Sequence, residues 1–167
     1  MNLAQFEKVF GALERAGVRF LVVGGVAVVA HGVMRFTNDL DLVLAFDEKN
    51  LRDGVNALMN VGFKSKIPVS AEAFASAENR QRWAKEKGMI VFQMALFEEN
   101  DLPIDIFTEP PFAFEAEYAR AVRYELAPNF YVPVVAIEAL IAMKEKAGRP
   151  RDLEDIARLK RLQGLPR

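Results

Sequence analysis

Cysteine is absent from this chain of 167 residues, and histidine occurs only once, at His31. The lack of cysteine excludes disulfides, thiolate metal sites and cysteine nucleophiles, and it suits a reducing compartment. A single imidazole excludes a zinc site that needs two or three histidines. It also leaves a serine nucleophile only one candidate base. Zinc chemistry and triad hydrolysis are therefore poor interpretations of the sequence.

Long apolar runs and a large net charge are also missing. The longest uncharged apolar run spans residues 20–30 and includes two glycines, whereas a membrane helix needs roughly 20 apolar residues. The first residues show neither the basic region nor the long apolar segment of a signal peptide. The formal net charge is −1, which gives no overall signature of polyanion binding. We therefore expect a soluble, cytoplasmic protein without a membrane contact.

The composition is that of an ordinary globular protein, with 51% hydrophobic and 27% charged residues. The length suits a single domain over residues 1–167. Helical and strand-like apolar spacings alternate along the chain, which predicts an α/β (α+β) fold with a mixed sheet flanked by helices. Helices are expected at 2–16, 25–31, 48–60, 71–86 and 113–121, and strands at 18–23, 40–46, 62–65, 89–97, 102–107, 122–126 and 130–132.

Residues 134–167 are predicted to form a helical C-terminal part. We expect its two helices at about 134–147 and 152–163. Asp152 suits the N-cap of the second helix. From Lys144 to Arg167, eight Lys and Arg outnumber four Asp and Glu. Such an excess is most often a solvated helix face, but it also suits contact with a nucleotide or an RNA substrate.

Two glycines and two aspartates form the most informative pattern of the chain. Gly24-Gly25 directly follows one apolar run, and Asp39-Leu40-Asp41 begins the next. In an extended strand Asp39 and Asp41 point to the same face, because side chains alternate. Adjacent carboxylates repel unless a cation lies between them, and Mg²⁺ takes oxygen ligands and often holds a phosphate, which a glycine turn can approach closely. The alternative is a pair of solvated acids at the start of a strand.

A third carboxylate, Asp105, lies between Ile104 and Ile106 on an apolar strand. A buried, unpaired charge is costly, so such a residue faces outward, pairs with a cation or binds a metal. Taken alone, Asp105 also fits a solvent-facing position on an edge strand. Together with the glycine turn and the two earlier aspartates, it indicates a site for phosphate and metal.

The order of these motifs resembles the DNA polymerase beta-like nucleotidyltransferase superfamily. There, Gly-Gly or Gly-Ser precedes Asp-x-Asp, and a third acid follows on a later strand. The first block is similar, more narrowly, to the AbiEii/AbiGii-type toxin nucleotidyltransferases and their minimal relatives. That block comprises Gly24-Gly25-Val26-Ala27, His31-Gly32, Arg35, Thr37 and Asp39-Leu40-Asp41. The later motifs of the family are resembled by Lys144 through Arg149, Asp152 and Asp155.

The resemblance implies a nucleotidyltransferase fold with C-terminal helices. It implies transfer of a nucleoside monophosphate from an NTP to an acceptor hydroxyl, with release of pyrophosphate. The catalytic and metal-binding residues, which would hold two Mg²⁺ ions, are Asp39, Asp41 and Asp105. The nucleotide-binding residues are Gly24, Gly25, Arg35, Thr37 and Lys144. Because Gly25 stands where many relatives have serine, it would hold a phosphate through its backbone N–H alone.

Several of these residues have structural interpretations as well. Arg35 suits an ion pair with Asp39 as readily as a phosphate contact, and Thr37 suits a turn. The position of His31 at the end of a predicted helix favours a capping or packing role. The pair Asp152 and Asp155 fits a cap and a helix face.

The acceptor is open among tRNA, a protein hydroxyl and a small molecule such as an aminoglycoside. The resemblance to toxins implies a toxin–antitoxin pair, with an antitoxin as a possible partner. A rival from another class is a non-catalytic partner-binding protein on the same fold, which would bind neither Mg²⁺ nor nucleotide. Other phosphate folds fit less well, because the sequence has no P-loop and no dinucleotide-binding fingerprint.

Overall fold

A computed structural model describes residues 3–97 and 101–164 of the chain. Within those residues there are eight helices: α1 (Leu3–Arg15), α2 (Gly24–Ala30), α3 (Glu48–Asn60), α4 (Ala71–Ala75), α5 (Ala77–Lys87), α6 (Phe114–Ala119), α7 (Ile137–Ala147) and α8 (Pro150–Gln163). The same residues form seven strands: β1 (Phe20–Val22), β2 (Leu40–Leu44), β3 (Lys64–Ser65), β4 (Val91–Ala95), β5 (Ile104–Phe107), β6 (Val122–Ala127) and β7 (Phe130–Val134). These strands make one mixed sheet in the order β3-β4-β5-β2-β1-β7-β6. The predicted α/β class with a mixed sheet is confirmed.

The centre of this sheet lies deep in the hydrophobic core. All three residues of β1 are buried, and α1 packs its apolar face of Phe6, Phe10 and Leu13 into the same core. The ring of Phe10 stacks on those of Phe6 and Phe20, with centroid distances of 5.8 and 5.6 Å. The helical spacing of these side chains is what buries them on one side of α1. The strand that leads into the glycine pair is thereby fixed.

The pairing of the inner strands aligns the acidic residues. β2 is antiparallel to β1 and parallel to β5, in a register that pairs Asp41 with Asp105. On its other side β5 is antiparallel to β4, which pairs Gln93 with Asp105. β5 is therefore an inner strand, and the interpretation of Asp105 as an edge-strand residue is wrong. The reason is that the hairpin of β4 and β5 continues the sheet beyond Asp105 rather than ending it.

Two predicted helix boundaries are also wrong. The helix expected over 71–86 is divided into α4 and α5 at Ser76, whose backbone is extended and whose side chain caps α5. Asp152 is not an N-cap, because α8 begins at Pro150 with Arg149 as its N-cap. A proline needs no donor in the first turn of a helix, so α8 starts earlier than the acid alone predicts.

The two C-terminal helices bring the end of the chain back to the sheet. Gly148, with a φ of +64°, is the C-cap of α7. α8 then packs against α7, and ion pairs join the two helices. The helices lie where the sequence predicted them, within a few residues. None of the described helices is long and apolar enough to cross a membrane.

Candidate active site

Gly24 and Gly25 leave room for side chains of the protein itself. The turn after β1 lies close to β2, since the N–H of Val23 donates to the backbone oxygen of Asp41 at 3.0 Å. A Cβ on Gly24 would lie 1.8 Å from Oδ2 of Asp41, and one on Gly25 would lie 2.3 Å from Oγ1 of Thr37. Gly24 also has a φ of +62°, a conformation that favours glycine. Close packing therefore requires the glycine pair even without a ligand.

Two of the acids accept hydrogen bonds from residues in or near this turn. Oγ1 of Thr37 donates to Oδ1 of Asp39 at 3.0 Å, so the hydroxyl fixes the carboxylate that precedes β2. The backbone N–H of Gly25 donates to the carboxylate of Asp41. The glycine turn and the loop after α2 thus orient both carboxylates before any ligand arrives.

The pKa of Asp41 reflects its burial among other acids. Burial, followed by the negative charges of Asp39 and Asp105, raises the pKa of Asp41 to about 6, from a usual value of 3.8. The hydrogen bond from Gly25 and the charge of Lys144 oppose this rise without cancelling it. The three carboxylates therefore repel one another across one shared site, and a cation there would relieve that repulsion.

Asp105 is half-buried and is held by a residue that the sequence did not reveal. Nε2 of Gln93 donates to Oδ1 of Asp105 at 2.5 Å. Burial raises the pKa of Asp105, the hydrogen bond from Gln93 opposes that rise, and the charges of Asp39 and Lys66 act in opposite directions. The only signal for Gln93 in the sequence is that it is polar among the apolar residues of β4.

α7 and α8 bring a buried ion-pair network to the same site. Lys144 is 5% exposed, and its Nζ lies 2.8 Å from Oδ2 of Asp155 and 3.2 Å from Oδ1 of Asp152. Oδ2 of Asp155 also lies 2.5 Å from Nη1 of Arg35. Arg35 therefore pairs with Asp155 and not with Asp39, the partner that the sequence suggested. The network ties the loop after α2 to both C-terminal helices.

Arg149 is a second residue of the site to which the sequence assigned no role of its own. Its Nε lies 2.7 Å from Oδ2 of Asp152, yet its side chain is 75% exposed. The hydrogen bond to Asp152 raises the pKa of Arg149, and the charges of Asp41 and Asp39 raise it further. Its guanidinium thus lies within the electrostatic field of the acids and also faces solvent. Only its place in the motif that begins at Lys144 could have pointed to it.

The oxygen donors of the site suit a hard divalent cation, but they do not form a ready-made cage. Among the described residues, no group of three or more His, Cys, Asp or Glu side chains is arranged to hold a metal ion. Each carboxylate is instead held by a protein donor: Asp39 by Thr37, Asp41 by Gly25 and Asp105 by Gln93. The donor chemistry and the mutual repulsion nevertheless fit Mg²⁺, which completes its shell with waters and phosphate oxygens.

The residues predicted for the site all lie in or beside this cluster. They are Gly24, Gly25, Arg35, Thr37, Asp39, Asp41, Asp105 and Lys144. His31 lies outside it, because its Nε2 contacts the backbone oxygen of Val135 at 2.8 Å. That contact agrees with a packing role for His31.

A family model identifies the class of protein as a nucleotidyltransferase. The chain belongs to the family described as Nucleotidyl transferase AbiEii toxin, Type IV TA system, whose model matches residues 11–167. The family resemblance predicted from the motifs is thereby confirmed.

A solved structure has a similar fold. It is described as "Crystal Structure of ANT(2")-Ia in complex with adenylyl-2"-tobramycin", and it matches 97% of this chain and 94% of that chain with a TM-score of 0.55. The two chains are 16% identical, so the likeness concerns the fold. No curated protein has a significant sequence match to the chain.

Proposed function

We propose that the protein transfers a nucleoside monophosphate from an NTP to an acceptor hydroxyl and releases pyrophosphate. The observation that carries this proposal is the alignment of Asp41 with Asp105 on adjacent parallel strands, with Asp39 near enough to raise the pKa of both. Three mutually repelling carboxylates beside a glycine turn are suited to a cation that carries a polyphosphate.

The proposed cofactor is Mg²⁺, bound by Asp39, Asp41 and Asp105, with two ions as the expected number. When bound, such ions stabilise the attacking and leaving oxygens of the transferred phosphoryl group. The mutual repulsion of the acids supports this assignment, because the charge of a bound cation would lower the electrostatic cost of ionising Asp41 beside Asp39 and Asp105.

The remaining roles belong to the chain's own groups. Asp105, which the sheet register places beside Asp41, accepts the proton of the acceptor hydroxyl. Gly24 and Gly25 border the triphosphate and keep Asp41 in position. Arg149 contacts the triphosphate before the buried cations Lys144 and Arg35 do, because its side chain is exposed. It can also neutralise charge on the leaving pyrophosphate.

Two further residues of the site keep their proposed nucleotide-binding roles but act from buried positions. Lys144 lowers the pKa of Asp41 through its charge, and a triphosphate would compete for it with Asp152 and Asp155. Arg35 approaches Gly25, since a Cβ there would lie 3.1 Å from its Nη2. Both cations therefore add positive potential around the phosphates.

The proposed biological role is that of the toxin in a toxin–antitoxin pair, acting in the cytoplasm with an antitoxin as its counterpart. The proposed acceptors are tRNA or a protein hydroxyl. The description of the solved structure names an adenylylated aminoglycoside in that protein, which makes a small-molecule acceptor the second candidate for this chain. The alternative that is not an enzyme is a non-catalytic partner-binding protein with the same fold.

The test is an incubation of the protein with each labelled NTP, Mg²⁺, and total RNA, total protein or an aminoglycoside in separate reactions. We expect label to enter one class of acceptor, and Asp41→Asn to abolish transfer while the variant stays folded. Asp53→Asn is the matched control, because Asp53 pairs with Lys49 on α3 and takes no part in the site. Transfer by Asp41→Asn at the wild-type rate would overturn the assignment of the acids, and a wild-type protein that labels nothing and binds no nucleotide would favour the non-catalytic alternative.

A further inference from the structure

The two edges of the sheet differ in length and in protection. The edge at β3 has only two residues, whereas the edge at β6 has six and pairs only with β7. Side chains along β6 are exposed or half-buried, and Val122 is 45% exposed. A strand edge of that length offers unpaired backbone groups to another strand.

The unpaired backbone groups of this edge belong to Arg123 and Glu125. The N–H of Val135 donates to the oxygen of Val22 in β1, so, by alternation, the backbone groups of Pro133 also face β1. Arg123 is paired with Pro133 and therefore occupies a position without hydrogen bonds to β7. Its N–H and C=O therefore point outward from the free edge, in the plane of the sheet. Those of Glu125, two residues later, do the same.

The order of charges on β6 makes the edge self-complementary. When two identical strands pair antiparallel about a twofold axis, that axis passes beside one residue, which then lies opposite its own copy. An axis between two residues would set side chains of opposite faces against each other, whereas directly opposite side chains share a face. A centre at Tyr124 sets Arg123 opposite Glu125 of the second copy, twice by symmetry. Centres at Arg123 or at Glu125 would instead oppose like charges, which is destabilising.

The register centred at Tyr124 also matches the free backbone groups. It pairs residues 123 and 125, whose N–H and C=O groups point outward, so each such pair exchanges two hydrogen bonds. Within the described residues no carboxylate pairs with Arg123, so its guanidinium is available.

We propose that β6 pairs antiparallel with β6 of a second copy of this chain, about a twofold axis at Tyr124. The two sheets then become continuous, and Arg123 forms an ion pair with the second copy's Glu125 on each side of the axis. Glu125 can accept this pair beside its present contacts with Tyr131 and the N–H of Asn129. The irregularity after Glu125 ends the regular ladder, so the interface is short.

The interface lies apart from the candidate active site. β2 is three strands from β6 in the sheet, so the two sites of the pair would be separated by roughly 34 Å at about 4.8 Å per strand. The proposed association thus does not depend on the proposed activity, and either can fail without the other.

Charge reversal tests the register. Sedimentation velocity over a range of concentrations should give a dimer for the wild type and a monomer for Arg123→Glu and for Glu125→Arg. Each single variant opposes like charges with itself, but a mixture of the two restores both ion pairs, so the mixture should dimerise. The double variant Arg123→Glu/Glu125→Arg should dimerise as well. A monomeric wild type at every concentration, or single variants that dimerise like the wild type, would overturn the proposal.

Cross-linking gives an independent readout in a chain without cysteine. Residues directly opposite at a position without hydrogen bonds have Cα atoms about 4.5 Å apart, within the range of a disulfide. Tyr124→Cys should therefore form a covalent dimer on mild oxidation. Arg123→Cys is the control, because its two copies are offset along the strands by two residues and are too far apart to be bridged. Equal cross-linking of the two variants would contradict the register, and circular dichroism checks that both are folded.

Discussion

Gly24 stands where the side chain of Asp41 leaves no space for a Cβ. An added Cβ would lie 1.8 Å from Oδ2 and 2.8 Å from Cβ of Asp41. Rotation of the carboxylate could relieve the first contact but not the second, because the Cβ of Asp41 is fixed to its strand. The conformation of the turn and the position of the acid are therefore linked.

Replacing Gly24 by alanine should damage both stability and activity. Gly17 is the matched control, because it has a φ of +65° and nothing within 4 Å of an added Cβ. Gly17→Ala should cost about 1 kcal/mol for the left-handed backbone alone, whereas Gly24→Ala should cost about 1–3 kcal/mol more through overpacking. Displacement of Asp41 should also lower nucleotidyl transfer by about 100-fold. Urea unfolding and a transfer assay measure the two effects, and equal results for the two variants would contradict the linkage.

The raised pKa of Asp41 predicts a particular dependence of stability on pH. Since its pKa is about 6 in the folded protein and near 3.8 when unfolded, the folded state binds the proton more tightly. The stabilisation is present below pH 3.8 and is lost as the pH rises through 6. In the absence of Mg²⁺, Asp41→Asn should thus gain up to about 3 kcal/mol relative to the wild type between pH 4 and pH 7. A difference that does not change with pH would show that Asp41 ionises normally.

The sequence predicted the acids of the candidate site more fully than the groups that hold them. Asp39, Asp41 and Asp105 were identifiable because charges beside apolar strands need an explanation. Gln93 was not, and Arg149 was named only as the end of a motif, since their significance comes from strand register and helix packing, which bring distant segments together. The choice of Asp155 as the partner of Arg35 likewise depends on how α8 packs, and nothing local to Arg35 encodes it.

Local patterns also misplaced some boundaries of the fold. The segment 71–86 has the composition of one helix, but Ser76 both ends α4 and caps α5. Asp152 has the chemistry of an N-cap, but Pro150 supplies an earlier start to α8. In the first case one serine fills two capping roles, and in the second the proline takes the first turn of the helix.

The pairing of Asp155 with Arg35 and Lys144 should stabilise the fold. All three side chains are at most 11% exposed, so Asp155→Asn would leave two buried cations with weaker compensation and should cost about 3 kcal/mol. Glu145→Gln is the control, because Glu145 also joins α7 to α8 but its pair with Lys160 is more than half exposed on both sides. That exposed pair should be worth less than about 1 kcal/mol. Similar losses in denaturant unfolding would mean that the buried network adds nothing beyond a surface ion pair.

Arg149 provides a test of the proposed triphosphate subsite. Its side chain is 75% exposed, and its pKa is raised by the hydrogen bond to Asp152 and further by the charges of Asp41 and Asp39, so Arg149→Ala should remove a contact with the triphosphate more than it disturbs the fold. We expect the KM for the NTP to rise about 10-fold, or about 1.4 kcal/mol, and Arg149→Lys to recover part of the loss because it keeps the charge without the planar fork. Arg120→Ala is the matched control, since Arg120 forms a similar pair with Glu117 three residues away and its side chain is 51% exposed. An unchanged KM in Arg149→Ala, or an equal rise in Arg120→Ala, would remove Arg149 from the subsite.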